Sequence, residues 1–142
     1  MGYAVVHFEI ESKDGEALRS FYSGVFGWEI DASNPMRYGL LQREGNMNAQ
    51  GVGIGGAVSD VPQTPSSTWR GPSRAEGYEG HVTVYVEVPD VEAALTKAED
   101  PRWNPNAGPD QVMGGLTMGK FNDPEGHLIG LIRPARRPVT RT

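Results

Sequence analysis

Residues 4 to 11 alternate strictly. Ala4, Val6, Phe8 and Ile10 fall on one side, and His7, Glu9 and Glu11 on the other. A period of two predicts a strand with one apolar and one polar face. Asp14 has the side chain of a helix N-cap, and Glu16 puts a negative charge in the first turn, where the helix dipole favours it. Ala17, Leu18, Phe21, Tyr22 and Val25 then form one apolar stripe of a 3.6-residue period, and Gly27 is placed to end the helix and turn the chain into Trp28. The spacing predicts that this helix covers the apolar face of its own strand, with Phe21, Tyr22, Phe26 and Trp28 in the core. His7 is left among carboxylates on the opposite face. The pattern then returns about half a chain length later. Val82, Val84, Val86 and Val88 alternate with His81, Thr83, Tyr85 and Glu87, and Asp90-Val91-Glu92-Ala93 repeats the cap before a helix through Ala94, Leu95 and Ala98. Two copies of one βαβ-type unit are the economical reading.

Between the copies, residues 28–31 and Tyr38 to Glu44 read as strands, with Asn34-Pro35 marking a turn. Gly51 to Ser59 is apolar enough for a strand, but its odd positions are Gly51, Gly53, Gly55 and Ala57. A run so bare marks a place where another group approaches the backbone closely. Residues 61–80 are rich in Pro, Gly and Ser and read as a linker between a first unit, 1–60, and a second, 81–134; residues 135–142 form a basic tail. Pro101 to Gly115 carries so many turn residues that the strand expected there should be short or absent. Leu116 to Phe121 resumes an extended run, Asp123-Pro124-Glu125-Gly126 has the composition of a type I turn, and His127 to Ile132 reads as a buried strand.

Composition narrows the chemistry. The chain of 142 residues fits one compact domain or two small halves, and its formal net charge of -5 argues against a nucleic-acid surface. The absence of cysteine removes disulfides, thiolate metal sites and a cysteine nucleophile. With no signal-peptide pattern and no apolar run long enough to span a bilayer, a cytoplasmic protein without membrane partners is expected. The run GVGIGG is not followed by the Lys-Ser or Lys-Thr pair of a phosphate loop, and no G-x-S-x-G elbow is present.

Taken together, a strand bearing His7, the helix-to-strand run FYSGVFGWEI, a second strand opening on His81 and the terminal hairpin FNDPEGHLIGL resemble the vicinal oxygen chelate superfamily. That group includes glyoxalase I, bleomycin-resistance proteins and extradiol dioxygenases. The resemblance implies an α+β fold of two βαβββ modules, each a curved half-barrel sheet, and a homodimer whose chains share the clefts. In metal-dependent members four strands each offer one ligand to a divalent ion. His7 and His81 match two of those positions. The last-strand glutamate is matched by Gly130, and the remaining position lies on the Gly51–Ser59 strand, which has no carboxylate or histidine.

Two readings follow. In the first, glycines where acids should project make the cleft wide and apolar, and no cofactor is needed. The protein then holds a hydrophobic or aromatic small molecule, as antibiotic-sequestering members do. Its ligand-binding set is His7, Glu9, Tyr38, Gly55, Trp69, His81, Thr83, Tyr85, Trp103 and Gly130. In the second, a divalent metal is held by His7 and His81 with other ligands, in a lyase, isomerase or dioxygenase.

Overall fold

The computed structural model describes residues 2–35, 37–61, 77, 80–99, 107–112 and 115–134. Trp69, Trp103, most of the 61–80 linker and the basic tail lie outside the described residues. The elements are β1 (Val5–Ser12), α1 (Gly15–Phe26), β2 (Leu40–Leu41), a 3-10 turn (Arg43–Gly45), β3 (Gly55–Asp60), β4 (Gly80–Glu87), α2 (Val91–Ala98), β5 (Ala107–Val112), β6 (Leu116–Asn122) and β7 (Leu128–Arg133). The architecture is α+β. The chain divides into one compact unit over Val5–Tyr85 and another formed by Met1–Ala4 with Val86–Thr142.

In the Val5–Tyr85 unit the strand order is β2-β3-β1-β4. β1 and β3 are parallel, pairing His7 with Gly55, Glu9 with Ala57 and Glu11 with Ser59. β2 is antiparallel to β3 and only two residues long. The strand expected at 28–31 is reduced to one bridge between Asp31 and Leu40. Both predicted ends of α1 are present. The Asp14 carboxylate accepts a hydrogen bond from the Ala17 amide at 3.1 Å, and Gly27, at φ 70°, closes the helix with its amide on the Ser23 carbonyl.

The expected core position of the α1 aromatics is corrected. Phe21 and Phe26 are each 59 % exposed and Val25 56 %. The helix is anchored by its first turns instead. The Gly15 amide donates to Asp60 at 2.6 Å, and Arg19 donates to the Val58 carbonyl at 3.2 Å. Towards its C-terminal end the rings pack on one another, with Trp28 5.0 Å from Phe26 and 5.5 Å from Phe8 between ring centres.

The bare strand is explained by close approach, as its composition suggests, but the approaching groups are the chain's own. A Cβ on Gly56 would stand 2.3 Å from the Phe8 ring, and one on Gly53 would stand 1.8 Å from the Asn46 carbonyl oxygen.

In the other unit α2 is capped as predicted, by Asp90 accepting from the Ala93 amide at 3.0 Å. Val88, Val91, Leu95 and Leu131 form an apolar cluster backed by Val86, Ala94 and Phe121. β5 is a six-residue strand, where a short or absent one was expected. Its antiparallel ladder with β6, irregular between Ala107 and Asp110, overrides the poor strand propensity of its residues. The β6–β7 hairpin closes through Asp123, whose carboxylate accepts from the Glu125 and His127 amides at 2.9 Å each.

Candidate functional site

Along β1 and the first part of β4 the most buried side chains are polar, the reverse of a simple amphipathic reading. Glu9 is 2 % exposed and Glu11 7 %, and Thr83 and Tyr85 are buried with them, whereas Val82 is 71 % exposed. The polar stripe therefore points inward. Burying a carboxylate is tolerable only where hydrogen bonds replace its water, and Glu9 has them. The Tyr85 hydroxyl donates to one Glu9 oxygen at 2.8 Å, and the Tyr38 hydroxyl donates to the other at 2.9 Å.

Tyr38 also meets His7, with 3.0 Å between its hydroxyl and Nε2. The ring of His7 lies edge-on to Tyr85 at 5.4 Å. On the other side of Glu9, His81 Nε2 is 3.7 Å from the carboxylate oxygen shared with Tyr85. Three strands cooperate here. β1 supplies His7, Glu9 and Glu11, and β4 supplies His81, Thr83 and Tyr85. β3 contributes by omission: beside His7 and Glu9 it carries Gly55 and Ala57, so at these positions nothing larger than a methyl group stands between Tyr38 and its partners. Gly55 itself is tightly backed, since a Cβ there would lie 3.1 Å from the Leu41 carbonyl oxygen.

Electrostatics follow from this burial. Desolvation pushes the His7 pKa down against the opposing pull of Glu9, so its imidazole is neutral near pH 7. Burial first, and then the negative charge of Glu9, pushes both the Tyr38 and Tyr85 phenols well above their ordinary value. Both hydroxyls stay protonated and serve as donors.

One ligand atom each from Glu9, Glu11 and His81 lies within 4.8 Å of the others, so these three are able to hold a metal ion. The expected pair was His7 and His81. His81 belongs to the group, but His7 does not; its partner is Tyr38. The acids that the glycine strand lacks are present on β1 itself. Glu11 was visible in the alternation His7, Glu9, Glu11, but nothing in one strand's pattern shows that it and His81 come together. Of the other expected site residues, Glu9, Tyr38, Thr83 and Tyr85 fall in this cluster or beside it. Gly130 lies on β7 in the other unit, paired with Lys120. Glu87, on the same predicted face as His81, is exposed.

The family profile described as Glyoxalase/Bleomycin resistance protein/Dioxygenase superfamily matches residues 4–131. The chain belongs to that superfamily. No curated protein matches its sequence. Among solved structures it is similar to methylmalonyl-CoA epimerase of Streptomyces coelicolor in complex with 2-nitronate-propionyl-CoA, at 20 % identity and a TM-score of 0.59, covering 94 % of this chain and 99 % of that one. The Mycobacterium tuberculosis methylmalonyl-CoA epimerase is similar at 15 % identity and 0.54, covering 93 % and 88 %. A superfamily member from Vibrio splendidus 12B01 matches at 16 % and 0.50, covering 93 % and 99 %. At such identities the likeness establishes the fold. Among the described residues no helix is long and apolar enough to cross a membrane.

Proposed function

We propose that this superfamily member is a metal-dependent enzyme acting on a small organic molecule, a lyase or isomerase whose divalent ion is held by Glu9, Glu11 and His81. The observation that carries this reading is the convergence of those three ligand atoms within 4.8 Å on the buried polar face of β1 and β4. The donor set is chemically apt. Two hard carboxylates with one imidazole suit first-row divalent ions such as Mn²⁺, Co²⁺ or Zn²⁺. Each Glu9 oxygen that accepts a phenol hydroxyl keeps a second lone pair for a metal. A bound ion would supply Lewis acidity towards a substrate carbonyl oxygen. His7, Thr83 and the aromatic rings beside them would orient the ligand. Because two of the similar structures are methylmalonyl-CoA epimerases, acyl-CoA thioesters are the first substrates to try.

The test is calorimetric titration of chelator-treated protein with Mn²⁺. One ion per chain, lost in Glu11→Gln and in His81→Ala, is the expected result. Binding that ignores both substitutions, or no binding at all, removes the reading.

A second reading is favoured by one observation. Each Glu9 oxygen already accepts a phenol hydroxyl, so this carboxylate is hydrogen-bonded without an ion. In that case the protein is a metal-free binder of hydrophobic or aromatic molecules, as in antibiotic sequestration. Quenching of tryptophan fluorescence by planar antibiotics in the presence of chelator is the expected sign. Under either reading we expect a cytoplasmic homodimer. The exposed Phe21, Val25 and Phe26 support a partner surface, and light scattering of the purified chain measures the mass.

A further inference from the structure

His7 occupies the strand position that the superfamily resemblance assigns to a metal ligand, yet its geometry gives it different work. The Tyr38 hydroxyl has a single proton, and it lies 2.9 Å from one Glu9 oxygen and 3.0 Å from His7 Nε2. A carboxylate offers only lone pairs, so that proton points to Glu9. The Tyr38 oxygen then has only lone pairs to turn towards His7, and Nε2 must carry the proton that closes the contact. Nε2 then has no lone pair left for a metal, and Nδ1, which keeps one, is not among the ligand atoms that converge.

We propose that His7 is a positioning residue rather than a ligand: locked as the Nε2–H tautomer, it orients the Tyr38 hydroxyl, which in turn fixes the carboxylate of Glu9 towards Glu11 and His81. On this reading β1 offers Glu9 and Glu11 to the ion in place of His7, together with His81. This inference deepens the proposed function and, in its metal-binding part, rests on that reading. Three geometric facts support it. His7 is absent from the group of converging ligand atoms. The rings of His7 and Tyr38 are near-parallel, 18° apart, with the Nε2–hydroxyl contact at 3.0 Å. Tyr85 pins the other Glu9 oxygen, so the carboxylate plane is set from both ends. Partners of this kind, acting behind a ligand, typically change metal affinity by about 10–100-fold.

Two measurements test the inference. Long-range ¹H–¹⁵N spectra of the imidazoles, recorded on metal-free and Zn²⁺-loaded wild-type protein, read the tautomers directly. His7 is expected as Nε2–H in both, with its signals unmoved by Zn²⁺ while those of His81 shift. Mn²⁺ titrations of His7→Ala, Tyr38→Phe and the double variant read the coupling. Each single change should weaken binding by about 10–100-fold, and the double variant should be no weaker than the weaker single, because the residues act in series. An Nδ1–H tautomer, a His7 shift on loading, or abolished binding in His7→Ala with Tyr38→Phe unaffected would overturn the inference. If wild-type protein takes up no ion, the metal reading fails alone. The tautomer still decides the link between His7 and Tyr38, and that spectrum needs no variant to fold.

Discussion

The two units differ in what they bury beside their apolar side chains, although their sequence patterns are similar. In the unit ending at Thr142, α2 lays Val91 and Leu95 against Val88 and Leu131, and the cluster is entirely apolar. In the Val5–Tyr85 unit, α1 leaves its aromatic stripe largely exposed, and the deepest side chains of β1 and β4 are Glu9, Glu11, Thr83 and Tyr85. One interior is held by the removal of hydrocarbon from water; the other adds to its own buried Leu41, Ala57, Val58 and Val61 a set of directional bonds around the Glu9 carboxylate. The difference shows where this chain gives up generic stability for a specific site. An apolar interior tolerates any filling of the right volume, whereas a buried carboxylate tolerates only partners at fixed places.

This contrast is open to direct attack. The largest effect is expected from Glu9→Leu, which removes the carboxylate that accepts from both the Tyr38 and Tyr85 hydroxyls; at about 1–3 kcal/mol for each buried donor deprived of its acceptor, it should cost roughly 2–6 kcal/mol in urea unfolding. A loss under 1 kcal/mol would mean that the polar network contributes little to the interior. Leu95→Ala should cost about 2–5 kcal/mol by opening a cavity in the apolar cluster, with a stability difference from wild type that is independent of pH. A pH-dependent difference would show that the clusters are not chemically separate.

The polar interior should be pH-sensitive at both ends. Tyr38 and Tyr85 have folded pKa values raised above the ordinary 10.0. The unfolded chain therefore releases those protons first, and stability present below pH 10 is lost as pH rises past it. For His7 the folded value lies below 6.5, so stability present above pH 6.5 declines as pH falls towards the lowered value. Tyr85→Phe should flatten the alkaline limb and leave the acid one. An unchanged alkaline slope would remove Tyr85 as a cause. The smallest effect sharpens the comparison between the helices. Asp14→Ala and Asp90→Ala each remove one cap and should cost about 0.5–2 kcal/mol, visible as a lowered midpoint of thermal unfolding. Near-equal losses would show that the two helix starts are equivalent even though the interiors beneath them are not.

Much of the molecule was legible from local pattern. The caps at Asp14 and Asp90, the stop at Gly27, the Asp123 turn and the alternating strands are written in residues only a few positions apart, and each is decided by local hydrogen bonding or local backbone preference. The same alternation placed His7, Glu9 and Glu11 on one face. It did not reveal which face would be buried, because hydropathy favours hiding the valines. Only the folded chain brings Tyr38, from the loop before β2, and Tyr85, from β4, to the two oxygens of one carboxylate, and so makes the polar face the inner one. β5, expected to be short or absent, runs for six residues for a related reason: its ladder with β6 outweighs its own poor propensity. Sequence by itself therefore determined the elements and the candidate chemistry. Tertiary structure decided which side chains meet, since bonds between residues 29 and 76 positions apart leave no trace in a local period.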